Sequence, residues 1–203
     1  MQISVLIPTH NRPALFERCI ESVISAYERF PVELEILVNN DSNDIREVHS
    51  GITSYTYERY DDLSSIYLSL FNRATKEYVY ILEDDDIMSP DFFEVLSVID
   101  SDIFYFNYTP YKWHPHFIKF FKYTDRVCTK DEFLDGYDQH NFQFGQICFK
   151  RKCLDAREFP VGNVMSNDFE VFKKLRGSFT TVNKFLYTQT TDGGDNLSFR
   201  RKQ

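Results

Sequence analysis

Tyr78-Val79-Tyr80-Ile81-Leu82-Glu83-Asp84-Asp85-Asp86 joins five apolar or aromatic residues to four adjacent acids. The apolar run is rich in β-branching and predicts a buried strand. Two like unit charges about 4 Å apart repel by about 1 kcal/mol in water, and by more in a partly buried cleft. A strand end that gathers four carboxylates therefore needs full solvation or a cation. Acidic runs are commonly solvated turns. Position favours the cation here, because the acids stand at the carboxyl end of an apolar strand, where open α/β sheets bind ligands.

Upstream, Ile3-Ser4-Val5-Leu6-Ile7 predicts another strand, ended by Pro8 and followed by the turn Thr9-His10-Asn11-Arg12. Pro13 suits a first helical turn. Phe16, Cys19, Ile20, Val23, Ile24 and Tyr27 then recur at helical spacing along one face, and Pro31 stops that helix. Leu34-Glu35-Ile36-Leu37-Val38 predicts a second strand, running into Asn39-Asn40-Asp41-Ser42-Asn43-Asp44. A right-handed crossover makes the two strands parallel, so both polar turns open at one sheet edge. Arg46 to Tyr60 yields only a short helix and a strand around 54–57. Ser64 to Thr75 predicts a helix with Ile66, Leu70 and Ala74 along one side.

Downstream, Pro90 precedes a short helix over 91–99, and Ile103 to Tyr108 predicts a strand. From Phe104 to Tyr123 ten aromatics interleave with Lys112, His114, His116, Lys119 and Lys122. The strand half of that stretch is expected in the core, with Trp113, His114, His116 and Lys119 exposed. Thr129-x-x-Glu132 is a capping-box pattern for a helix over 130–137. Phe144 to Phe149 predicts a strand passing through Gly145. Asn167 to Leu175 predicts a helix with Phe169, Phe172 and Leu175 on one face, and Val182 to Tyr187 a late strand. No internal repeat, low-complexity tract or linker interrupts the pattern.

The 203 residues suit one α/β domain. The composition, 42% hydrophobic and 27% charged, is that of a soluble globular protein. A net charge of −8 argues against wide contact with a phosphate backbone, while leaving room for a local basic groove. Cys19, Cys128, Cys148 and Cys153 fall in no Cys-x-x-Cys or His/Cys pattern, which argues against zinc and for reduced thiols. No signal-peptide pattern opens the chain, and no apolar run approaches the roughly 20 residues of a membrane span. The expected location is the cytoplasm. A Gly-x-Gly-x-x-Gly turn and a Gly-x-x-x-x-Gly-Lys-Ser/Thr loop are both missing, against a dinucleotide oxidoreductase and a P-loop phosphotransferase. An aspartyl phosphohydrolase fits poorly, since Met88 stands where Asp-x-Asp-x-Thr needs its threonine.

Three strand-end turns thus converge: Thr9–Arg12, Asn39–Asp44 and Glu83–Asp86. The first two offer hydroxyl, amide and guanidinium groups suited to a base and ribose. The third offers carboxylates suited to Mg²⁺ or Mn²⁺, which prefer oxygen ligands. On these residues alone, Glu83 and Asp85 are expected to hold a divalent metal on a nucleotide diphosphate.

Ile3-Ser4-Val5-Leu6-Ile7-Pro8-Thr9-His10-Asn11-Arg12 resembles the opening of the family 2 glycosyltransferases with the GT-A fold. Val38-Asn39-Asn40-Asp41-Ser42-Asn43-Asp44 stands where that family carries Val-Asp-Asp-Gly-Ser-x-Asp. The segment from Ala74 to Asp86 resembles the approach to its Asp-x-Asp motif, and Pro90-Asp91-Phe92-Phe93-Glu94 follows the same pattern. The resemblance covers the first hundred residues well and the remainder thinly. It implies a single α/β domain of GT-A type, with a mixed, mostly parallel central sheet flanked by helices. Residues 1–100 would form the nucleotide-sugar-binding half and 101–203 the acceptor-binding half.

The implied activity is metal-dependent, inverting transfer of a hexosyl or pentosyl group. The donor is a nucleotide-diphosphate sugar, a UDP-sugar first, and the acceptor a hydroxyl of a saccharide or other soluble molecule. By resemblance, Pro8, Thr9, Asn11, Arg12, Asn40, Asp41, Glu83 and Asp84 lie against the donor. Asp85 is the direct ligand of Mn²⁺ or Mg²⁺, with Asp86 beside it. Asn40 replaces an Asp that contacts the base, and an amide both donates and accepts, which alters uracil recognition. Met165 to Phe172 resembles the segment bearing the general base, with Asn167 in place of a Glu. Asp168 is then the base and Glu170 its reserve; the plain alternative is that Asp168 complements the helix dipole. Tyr187 to Asp192 lacks the family's late His, so Asp192 or water would complete the metal site; Gly193-Gly194 reads first as a flexible terminal loop, with a lid over the donor as the alternative. Two other readings stay open: a modified nucleic-acid base as acceptor, and a catalytically silent nucleotide-sugar-binding module.

Overall fold

The computed structural model describes residues 1–42, 47–49, 51–110, 126–128, 131, 143–160 and 167–190. Strands and helices alternate through the first part: β1 (Gln2–Thr9), α1 (Pro13–Arg29), β2 (Glu33–Asn40), β3 (Thr53–Thr56), α2 (Leu63–Arg73) and β4 (Tyr78–Ile81). β5 (Ile87–Met88), α3 (Phe92–Ser97), β6 (Ile103–Pro110), β7 (Arg126–Cys128), β8 (Ile147–Lys150), α4 (Asn167–Lys174) and β9 (Phe179–Gln189) follow.

The nine strands of the described residues join one sheet in the order β3-β2-β1-β4-β8-β6-β9-β5, with β7 on β9. β3, β2, β1 and β4 are mutually parallel, as the crossover argument predicts. β8 then inserts antiparallel between β4 and β6, while β9 runs parallel to β6. The sheet is therefore mixed, with helices on both faces. Because strand side chains alternate, Val5 and Ile7 meet Phe16, Cys19, Phe92 and Phe93 on one face. Leu6 turns the other way, toward Leu70, Phe71 and Phe172. Among the described residues no helix is long and apolar enough to cross a membrane.

Several boundaries differ from the pattern-based expectation, each for a local reason. α2 starts at an Asp62 cap that accepts from the Ser65 N–H at 2.9 Å. It stops at Arg73 rather than Thr75, because Thr75 turns its N–H and hydroxyl to Glu35, both at 2.9 Å. Phe144 to Gln146 form a 3₁₀ turn, not the start of a strand. The Gly145 carbonyl accepts from the Tyr80 hydroxyl at 3.0 Å, and a Cβ there would stand 2.6 Å from the Tyr187 ring. β9 extends to both sides of 182–187, since Phe179 and Thr180 pair with β6 and β7 together. All of the helix expected over 130–137 but Asp131, the aromatics beyond Pro110, and Asp192 with Gly193-Gly194 lie outside the described residues.

Candidate active site

β1, β2 and β4 end at one edge, and their register decides which turns meet. Thr9 stands opposite Asn40. The Asp41 N–H reaches the Thr9 carbonyl at 3.4 Å, and the Leu82 N–H donates to Leu6 O at 3.0 Å. Beyond Leu82 the chain closes a tight turn, with Asp86 N–H donating to Glu83 O at 3.0 Å. An extended strand would send successive carboxylates to opposite faces. The turn instead throws them together: one oxygen each of Glu83, Asp85 and Asp86 lies within 4.8 Å of the others. Asp84, Asp85 and Asp86 are only 5%, 5% and 3% exposed.

Asp84 has a different partner. The Arg12 guanidinium, projecting from the residue that precedes α1, spans Asp84 Oδ1 at 3.1 Å and Asp85 Oδ2 at 3.2 Å. Arg18 on α1 donates to the Asp85 carbonyl at 2.6 Å and to Thr190 Oγ1 at 2.9 Å. Thr190, at the end of β9, gives its N–H to Asp86 Oδ1 at 2.9 Å. Tyr67 on α2 donates its hydroxyl to Glu83 Oε1 at 2.8 Å. Asp168 sits in the first turn of α4, accepts the Phe169 N–H at 3.2 Å, and is close enough to act electrostatically on Glu83 and Tyr67.

Crowding and burial show in the acidities. Burial, then the Asp85 charge, pushes Glu83 up to about 7. Burial lifts Asp84 to about 6 against the pull of Arg12. Asp85 is raised by burial, with Arg12 again opposing. Asp86 is held well above the ordinary range by burial and by the charges of Glu83 and Asp85. Burial places Asp168 at about 6. Four carboxylates of the β4 turn, with Asp168 in electrostatic reach of Glu83, thus face the guanidiniums of Arg12 and Arg18, an imbalance that favours a cation. The all-oxygen donor set of Glu83, Asp85 and Asp86 suits Mg²⁺ or Mn²⁺.

The two polar turns beside the acids are tied to each other. Asn11 adopts φ +52°, a conformation Asn tolerates better than most residues, and its N–H donates to Ser42 Oγ at 2.8 Å. Asn40 is fully buried. Its Oδ1 accepts from Ser42 N–H at 3.1 Å and Ser42 Oγ at 2.7 Å, which fixes the amide orientation because a backbone N–H only donates. Asn40 Nδ2 has no partner among the described residues. His10 pairs with Asp41 across the two turns, and Pro8 stays inside β1 opposite Asn39. Glu170 turns away to an ion pair with Lys173 at 2.6 Å.

The structure therefore brings Thr9, Arg12, Asn40, Asp41, Glu83, Asp84, Asp85, Asp86 and Asp168 to one region. Sequence patterns did not single out Arg18, Tyr67 or Thr190. For Tyr67 a signal existed: a tyrosine inside the apolar stripe of α2 needs a partner for its buried hydroxyl.

In comparison with known proteins, residues 4–155 match the sequence model of a family described as Glycosyl transferase family 2. No curated protein matches the chain in sequence at a significant level. Among solved structures, S. aureus TarS 1-349 in complex with UDP-GlcNAc aligns with TM-score 0.76 at 17% identity, over 98% of this chain and 61% of that one. S. aureus TarS 1-349 aligns with TM-score 0.74 at 18% identity, over 94% and 60%. The chain thus spans about three-fifths of those structures. At such identity the likeness is one of fold, and it bears out the GT-A type α/β architecture.

Proposed function

Because the chain belongs to glycosyl transferase family 2, we propose that it moves a sugar from a nucleotide-diphosphate donor, a UDP-sugar first, to an acceptor hydroxyl with inversion. One juxtaposition carries the reading: a buried acid cluster on the β4 turn, two polar turns from β1 and β2 beside it, and Asp168 within electrostatic reach of Glu83. A neighbouring fold bound to UDP-GlcNAc supports the donor class.

Pro8, Thr9, Asn11, Arg12, Asn40 and Asp41 line the donor side. With its oxygen engaged by Ser42, Asn40 offers a base only the N–H donors of its amide. Arg12 holds Asp84 and one oxygen of Asp85, so the other Asp85 oxygen, with Glu83 and Asp86, would face the ion. A divalent ion, Mn²⁺ or Mg²⁺, held by Glu83, Asp85 and Asp86 would neutralise charge on the departing diphosphate. Asp168 takes the acceptor hydroxyl proton as that oxygen bonds the anomeric carbon. The bond from this carbon to the diphosphate oxygen breaks, and its electron pair leaves with the nucleoside diphosphate. A base held near 6 is deprotonated at neutral pH yet basic enough to help. A single displacement of this kind inverts the anomeric centre.

Residues 1–100 serve the donor and 101–203 the acceptor, a saccharide or other soluble hydroxyl compound in the cytoplasm. The net charge of −8 disfavours a nucleic-acid acceptor. The test is a panel of UDP-sugars with Mn²⁺, following nucleoside diphosphate release and the anomeric configuration of the product. Full activity in excess chelator, or retention of configuration, overturns the mechanism.

A further inference from the structure

We infer that Tyr67 is a positioning residue: its hydroxyl sets the Glu83 carboxylate within the acid cluster and thereby governs how tightly the cluster holds a divalent cation. This rests on the metal-dependent reading above. Glu83 carries one more methylene, and one more rotatable bond, than the aspartates beside it. Asp84 and Asp85 are held by Arg12, and Asp86 by the Thr190 N–H. Glu83 has no such anchor: among the described residues the Tyr67 hydroxyl, at 2.8 Å, is the hydrogen-bond donor to its side chain.

Tyr67 is built to stay in place. It is 1% exposed, within the apolar cluster that joins α2 and α4. Its ring meets Phe144 edge-on, with centroids 4.8 Å apart. The hydroxyl therefore acts as a fixed donor rather than a swinging one. Accepting this bond does not use up the carboxylate, because each oxygen carries two lone pairs. A hydrogen bond to a charged acceptor in a buried site is of the strong class, so its loss is expected to be felt at the ion.

The experiment is a Mn²⁺ titration, reading free Mn²⁺ by electron paramagnetic resonance, on the wild-type chain, Tyr67→Phe, Glu83→Gln and the double variant. Tyr67→Phe keeps the ring against Phe144 and removes one oxygen. It is expected to weaken Mn²⁺ binding by about tenfold, while the double variant binds no more weakly than Glu83→Gln alone. Wild-type affinity in Tyr67→Phe overturns the inference, and so does a further loss of equal size when Gln already occupies position 83. A Tyr67→Phe chain that no longer folds assigns the hydroxyl to the core and overturns it too. A wild-type chain that binds no Mn²⁺ instead removes the metal reading itself, a separate failure visible before any variant is compared.

Discussion

Asp102 and the Glu83–Asp86 turn lie at opposite ends of the same sheet, and their carboxylates behave in opposite ways. Asp102 accepts the Ser178 N–H at 3.1 Å and its hydroxyl at 3.0 Å, and faces Lys150 at 3.3 Å and Lys152 at 3.2 Å. Those bonds, the Ser178 N–H foremost, hold it down at about 2. The acids of the β4 turn are buried with fewer donors than oxygens, and they are pushed up instead. Charge alone therefore does not mark a site. A carboxylate saturated with donors ties the fold together, whereas buried carboxylates left short of positive charge mark a candidate site.

The largest expected effect separates these two ends directly. Asp85→Ala should lower Mn²⁺-dependent transfer by about 10³-fold or more with the circular dichroism of the fold unchanged. Asp168→Asn should lower kcat by about 10²-fold or more while the melting shift induced by donor with Mn²⁺ persists. Transfer that survives this change would place the base elsewhere.

Stability should divide the two ends as well, with opposite signs. Glu83, raised from 4.5 to about 7, binds more protons folded than unfolded across that window. The metal-free protein should therefore lose stability as pH rises from about 4.5 to about 7. Glu83→Gln removes a buried charge and should raise the metal-free melting point at pH 8, by about 1 kcal/mol of stability. Asp102 carries the reverse sign, since its folded value lies below the ordinary 3.8. Its contribution is present above 3.8 and fades as pH falls toward about 2. Asp102→Asn should cost about 1 kcal/mol at neutral pH, and denaturant unfolding should show that difference vanishing in acid. A melting profile in which both variants shift the same way would dissolve the contrast.

Much of the N-terminal half was legible because local pattern and tertiary role agree there. The alternation of β1, α1, β2 and β4, the helical face of Phe16, Cys19, Ile20 and Val23, and the convergence of three turns all follow from periodicity and crossover handedness. The later strands were less legible. β8 is only Ile147–Lys150 and sits antiparallel between β4 and β6, a placement its own residues do not announce. β5 is two residues long, too short for any period to register. Within the site, the gathering of acids could be read from their adjacency. That Asp84 belongs with Arg12, rather than with the cluster, could not.

Hydrophobic periodicity, proline positions and the order of strand and helix determined, by themselves, a parallel α/β core whose polar turns share an edge. These are local properties, repeated every two or 3.6 residues along the chain. Tertiary structure alone decided the division of labour among the acids, because it depends on groups far apart in sequence. Arg12 reaches Asp84 and Asp85, Thr190 reaches Asp86, and Tyr67 reaches Glu83 only once the sheet edge has brought them within hydrogen-bond distance.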